Sequence, residues 1–454
     1  MNNIKYLALI LIFFISCSNP TEPDNFNYAP KSYSDTTSVY VQGLNKIISP
    51  LSGTDPELND FDLSPLDYLG NVRIVGLGEA THGTKEFIQM KFRIFKFLVE
   101  RYNFKIFAFE ADMGESVYID RYITNGIGNL RTLMINKMHF WTWRTEEVYT
   151  LLEWMRNYNI GKSEDQMIHY LGVDCQYFDD QPDLILEYFK QTDPTIKNHI
   201  ISIMDTIKTI AKLPYNQFKN YFINMNQKQE SNLIFLLQSA INEMESRKDK
   251  LTAKSSEFEY ANIKQLFRNI QQAVEVYYNY ERKSNSTYRD KYMAENAEWM
   301  TKLFGSNTKI ALWAHNFHIG NNISSMGSIL KNDLIDDYQI ISFSFSEGSF
   351  QAIGVEGLNY TGLKKQTITT IPIKNSINYY LFNARYNNFI LRIKDIPQDS
   401  QLYQFAYEPH KFLSIGSVYN GNPDNYYSSK RLKHFTDVII NIDFTNAAIV
   451  IPKF

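Results

Sequence analysis

Between Asn71 and Tyr177 the chain alternates short apolar runs with helix-spaced segments, and this alternation restricts the possible folds more than any other feature. Val72-Arg-Ile-Val-Gly-Leu-Gly78 is a β-branched run closed by glycine. In the segment from Lys85 to Arg101, Ile88, Phe92, Phe95 and Val99 share one helical face. Lys105-Ile-Phe-Ala-Phe109 is a second strand. Thr145 reads as an N-cap, with Glu146 and Glu147 in the first turn of a helix towards Asn157. Ile168-His-Tyr-Leu-Gly-Val173 is a third strand. After Asp290 the pattern returns, with a helix over Lys291–Phe304 and a strand over Lys309–Ala314. Successive strands separated by helices lie parallel, so the expected class is α/β, a parallel-sheet core with helices on both faces.

The rest of the chain divides around that core. Residues 181–284 keep helical spacing, with Lys, Asn, Gln and Glu filling the gaps, and predict a helical hairpin insertion between core segments 41–180 and 285–335. From 336 to 454 short β-rich runs dominate (Gln339–Phe345, Thr367–Ile373, Phe389–Ile393, Val438–Ile442). They predict a smaller α+β lobe whose last strand could rejoin the core sheet. At the other end, Tyr6–Ser16 is apolar but too short to span a bilayer. It ends in Phe14-Ile-Ser-Cys17, the pattern of a bacterial lipobox. Residues 1–16 are therefore expected to be a lipoprotein signal peptide, Cys17 the lipidated residue and 17–40 a tether. The expected location is the bacterial cell envelope, periplasmic or outer-membrane, with the membrane as a partner through the lipid. Only Cys175 then remains, so no intramolecular disulfide is expected. A net charge of -3 with no long basic run points away from nucleic acid.

Each apolar strand runs into ionisable groups. The first leads to Gly76-Leu-Gly-Glu79-Ala-Thr-His82-Gly83, the second to Glu110 and Asp112, the third to Asp174 and the fourth to His315-Asn-Phe-His318. Parallel strands place their carboxyl ends on one edge, where open α/β sheets bind ligands. These residues are therefore expected to meet in one cleft. An imidazole there can take a proton from water, a carboxylate can hold its tautomer, and a second imidazole can donate to an oxyanion or leaving alkoxide. No G-x-S-x-G elbow occurs, which disfavours a serine hydrolase of the α/β-hydrolase type. Glu79, His82, His315 and His318 also form a ligand set that suits zinc, so a zinc hydrolase stays open. So does a non-enzymatic envelope protein that binds a metal or haem in the same cleft.

The stretches Gly76–Phe87, Ile106–Glu110, Trp143–Val148, Glu153–Asn159, Gly172–Asp174, Arg289–Ala294, Trp313–Ile319 and Phe435–Asp443, taken in order, resemble the erythromycin esterase family. The resemblance implies a hydrolase that cleaves a small-molecule carboxylic ester or lactone, with a macrolide antibiotic lactone as the first candidate. It implies His82 as general base, Glu79 and Glu110 as groups that orient or polarise it, and His315 and His318 at the substrate carbonyl or leaving alcohol. It implies no cofactor and no catalytic metal. Lys91 stands where some members carry a basic Arg, and Lys lacks the bidentate geometry of a guanidinium. Lys91, Asp174 and Trp143 are expected on the substrate side of the cleft.

Overall fold

The computed structural model describes residues 37–453 apart from 197, 283–284 and 358. The expected signal peptide, Cys17 and most of the expected tether lie outside the described residues. Among the described residues no helix is long and apolar enough to cross a membrane.

The strands in chain order are β1 (Ser49–Pro50), β2 (Ile74–Leu77), β3 (Ile106–Asp112), β4 (His169–Asp174), β5 (Ile310–Trp313), β6 (Tyr338–Ser344), β7 (Glu347–Glu356), β8 (Asn359–Ile368), β9 (Asn388–Arg392), β10 (His410–Leu413), β11 (Val418–Tyr419), β12 (Tyr427–Lys430), β13 (Val438–Ile442) and β14 (Phe444–Thr445). Eight of them form one sheet in the order β1-β9-β13-β6-β2-β5-β3-β4. From β13 through β4 every pair is parallel, while β9 and β1 add an antiparallel edge.

The sheet is covered on both faces, which is why its strands read as unbroken apolar runs. Val75, Leu77, Phe107, Phe109, Ala311 and Trp313 point to one side, into a core shared with Phe87, Phe95 and Leu98 of the helix Lys85–Tyr102 and Leu151 of the helix Glu146–Asn159. Ile74, Ile106, Ala108, Ile310 and Leu312 point to the other side, against Met293, Ala297 and Met300 of the helix Asn285–Met300 and Leu330 of Met326–Leu334. The two-residue period of each strand thus feeds two separate cores. Thr145 caps its helix as expected, its hydroxyl accepting from the Val148 amide.

Helices from Gln181–Thr192 to Glu257–Tyr278 build a third core of their own, in which Cys175 is buried. Burial pushes the Cys175 thiol well up, which suits packing and not nucleophilic attack.

The last third of the chain is more interleaved with the core than its sequence suggests. β13 rejoins the main sheet, and so do β6 and β9. The other strands form a small sheet, β11-β7-β14 with β8 on β7, and the antiparallel pair β10-β12. Of the expected strand Thr367–Ile373 only Thr367 and Ile368 are in β8. Most of β8 is exposed and carries no apolar alternation to read.

Candidate active site

β2 delivers Gly78-Glu79-Ala-Thr-His82-Gly83 to the carboxyl edge of the sheet, and the C-terminal segments fasten that turn in place. The Ile415 amide donates to the Ala80 carbonyl at 2.6 Å, and the Gln351 and Ala448 amides donate to Gly83 at 2.9 and 3.0 Å. Glycine at 83 follows from this crowding, since a Cβ there would lie 2.2 Å from the Gln351 carbonyl oxygen. At Gly78 a Cβ would lie 2.1 Å from the Asn316 side-chain oxygen.

Glu79 is buried and fully engaged. One oxygen meets His82 Nδ1 at 2.5 Å. The other accepts from Lys91 Nζ and, at 2.7 Å, from Trp313 Nε1. Burial by itself would raise the Glu79 pKa, but Lys91 and then His82 outweigh it and hold it at about 2. With Nδ1 taken by Glu79, Nε2 is the remaining nitrogen of His82, on a partly exposed ring whose centroid is 5.2 Å from that of His315.

Lys91 has no exposed surface and lies 3.9 Å over the Trp313 ring. It is placed to hold Glu79, not to touch a substrate. Burial depresses its pKa to about 8 against the pull of Glu79. As pH rises through that value the folded protein gives up the Lys91 proton and Glu79 loses its cation. As pH falls from the ordinary carboxylate value of 4.5 through about 2, the stabilisation contributed by the Glu79 charge is lost. The expected pH profile of kcat/KM has an alkaline limb near pH 8. Lys91→Arg should move that limb upward, because a guanidinium keeps its proton. A wild-type profile flat between about pH 7 and 10 would contradict this role.

A second network lies beside the first. Glu110 accepts from Arg289 Nη2 at 2.7 Å with one oxygen and from the His315 backbone amide at 2.9 Å with the other. Burial works against its charge, but His318 and Arg289 keep its pKa well below the usual range. Arg289 also forks onto Asp174, donating from Nε at 3.0 Å and from Nη2 at 2.7 Å. His318 Nδ1 lies 2.9 Å from Asp290, and its Nε2 lies 3.2 Å from Arg289 Nη1 and 3.4 Å from Glu110. Neutral, this nitrogen accepts from Arg289; protonated, it donates to Glu110. Burial disfavours the imidazolium, yet Glu110 and Asp290 outweigh burial and raise the His318 pKa.

His315 is the opposite case. Burial and the nearby His82 push it down to about 3, so it is neutral at pH 7. Its Nδ1 accepts from the Phe317 amide at 3.3 Å, which assigns the ring proton to Nε2, 3.1 Å from Ser414 Oγ.

Glu79, His82, Glu110, His315 and His318 thus stand together at the ends of the adjacent strands β2, β5 and β3. Asp174 is also there, but sealed from solvent behind Arg289. Trp143 is 2% exposed and packs edge-on against Phe109 and Trp313, so it supports the site from beneath and does not line it. Arg289, Asp290 and Ser414 join the site from outside the strand ends. The first two enter from a helix and the third from the C-terminal region, so no strand-end rule finds them. A cleft of 380 Å³ opens beside His315 and His318, walled by Phe317, Phe412, Tyr426 and Tyr427.

The family model described as erythromycin esterase matches residues 99–445. That stretch contains Glu110, Asp174, Arg289, His315 and His318 and begins after Glu79 and His82. Erythromycin esterase type II of Escherichia coli is 25% identical over 378 residues, covering 78% of this chain and 88% of that protein. A crystal structure described as a succinoglycan biosynthesis protein superposes with a TM-score of 0.78 at 24% identity, covering 91% of this chain and 98% of the other. An erythromycin esterase mutant in its open conformation gives 0.61 at 17% identity, with 87% and 97% covered.

Proposed function

The chain belongs to the erythromycin esterase family and is a hydrolase, and from that premise we propose that it cleaves a carboxylic ester or lactone with water activated by His82. The observation that carries the reading is the bond between buried Glu79 and the partly exposed His82, whose ring lies 5.2 Å from that of His315. His82 Nε2 takes a proton from water, and Glu79 stabilises the imidazolium that forms. The new hydroxide adds to the acyl carbon. The Nε2–H of His315 and the His318–Arg289 pair are the donors nearest the developing oxyanion. Collapse breaks the acyl C–O bond, and the leaving alkoxide takes a proton from the His82 imidazolium.

A zinc ion held by Glu79, His82, His315 and His318 fits less well. One Glu79 oxygen already accepts from Lys91 and Trp313, the other is taken up by His82 Nδ1, and a guanidinium nitrogen sits 3.2 Å from His318 Nε2. The aromatic cleft walls suit an apolar organic ester, and the E. coli relative makes a macrolide lactone the first candidate.

The test is turnover of a panel of macrolides, small lactones and aryl esters, with and without a strong chelator. Ester cleavage that survives chelation is expected. Loss on chelation with rescue by stoichiometric zinc would favour the metal route. Cleavage of aryl esters without macrolides would keep the chemistry and remove the substrate. No cleavage of any ester would overturn the reading.

A further inference from the structure

A second cluster of ionisable groups lies at the carboxyl end of β3, outside the hydrolytic set. Asp112 closes β3 and stands at the N-cap of the helix Met113–Asn125 without capping it, Glu115 is in that helix's first turn, and His139 is on the loop before Trp141. Their ligand atoms lie within 4.8 Å of one another.

The two carboxylates are each 1% exposed and only half satisfied. Asp112 Oδ1 accepts from the Tyr177 amide at 2.8 Å, while Oδ2 has no partner. Glu115 Oε2 accepts from the His139 amide and from its Nδ1, both at 2.8 Å, while Oε1 has no partner. A buried, unpaired carboxylate oxygen is costly, and two in one place call for a shared positive charge. Asp174 is also buried and is Cα partner to Asp112 across the β3–β4 ladder. Asp179 and Asp180 flank the cluster. Of the nearby cations, Arg289 is committed to Asp174 and Glu110 and Lys137 to Asp180, while Arg144 acts on Glu115 at longer range without pairing to Asp112.

The imidazole is already oriented as a ligand. His139 stacks on Tyr177 at 4.3 Å with an interplanar angle of 4°, and its Nε2 lies 3.0 Å from Asp179. A carboxylate on the far nitrogen of a histidine, with the near nitrogen towards further oxygen ligands, is the usual arrangement around a bound metal. The ring is partly exposed, which leaves a path in from solvent.

We propose that Asp112, Glu115 and His139 form a binding site for one divalent cation, Mn²⁺ or Zn²⁺ by its oxygen-and-imidazole ligand set. Nδ1 of His139 becomes a ligand by releasing its proton to solvent, Asp112 Oδ2 and Glu115 Oε1 supply the carboxylate oxygens, and Asp179 stays as the outer partner of Nε2. The ion takes the place of the Nδ1 proton that meets Glu115. The ion ties the helix Met113–Asn125 to the His139 loop and the Tyr177–Asp179 turn, separately from the hydrolytic groups.

The test uses the full chain, stripped with chelator and titrated with MnCl₂ or ZnCl₂ alone by equilibrium dialysis. One ion per chain is expected, tighter than about 1 mM, with a higher Tm in its presence. Asp112→Asn and Glu115→Gln, which keep shape, should each abolish that binding within the same range. Asp179→Asn should weaken it by about 10- to 100-fold. No ion bound by the wild type would overturn the proposal, whatever the variants do. So would binding that survives both carboxylate substitutions in proteins shown folded by circular dichroism.

Discussion

Replacing His82 with alanine is expected to lower kcat by about 10²- to 10⁴-fold, the usual worth of a positioned base, with the circular dichroism spectrum unchanged. His82 is partly exposed on a turn held by backbone hydrogen bonds from Ile415, Gln351 and Ala448, so its ring is dispensable for folding. Glu79→Gln removes the charge that stabilises the His82 imidazolium and deprives Lys91 of its hydrogen-bonded anion, so it should impair both turnover and stability. His315→Ala and His318→Ala should also slow turnover. Their losses should not add to that of His82→Ala, because groups that act on one transition state are not independent. A folded His82→Ala protein with near wild-type kcat on an active ester would remove His82 as the base and direct attention to Glu79 and Glu110.

Arg289→Met should have the largest effect on stability, about 3–5 kcal/mol, because it strands Glu110 and Asp174 as buried charges without their shared cation. Urea unfolding of the wild type and the variant would measure it. The effect should depend on pH with a definite sign. The Glu110 pKa is depressed in the folded wild type, so the stabilisation from its charge is present above the ordinary value of 4.5 and is lost as pH falls below it. The gap between wild type and Arg289→Met should therefore be full at neutral pH and narrow under acid conditions. A gap under about 1 kcal/mol at neutral pH would mean that Glu110 and Asp174 find other compensation, with surface-like energetics.

Much of the site is legible in the sequence for a simple reason. Residues that end buried parallel strands meet at one sheet edge whatever lies between them. The apolar runs from Ile74, Ile106, His169 and Ile310 and the groups that follow them place Glu79, His82, Glu110, Asp174, His315 and His318 in one neighbourhood. Chain order is silent on which of these are open to solvent. Lys91 follows Glu79 on the next helix and reads as a substrate-side cation, yet the helix Lys85–Tyr102 turns it inward beneath Trp313, where burial and Glu79 set its charge. Trp143 reads as a pocket wall and is core, because the 3-10 turn Trp141–Trp143 points it at Phe109.

What the sequence by itself determined is the layered α/β core and the gathering of the strand-end residues, since both follow from local periodicity and the parallel direction of strands. Only the tertiary structure decided that β6 and β9 join β13 in the main sheet, that Ser414 and the Ile415 amide reach the His82 turn, and that Arg289 bridges Glu110 and Asp174. The physical reason is the same in each case. These contacts join segments far apart in the chain through hydrogen bonds and ion pairs, which impose no periodicity on the residues that make them.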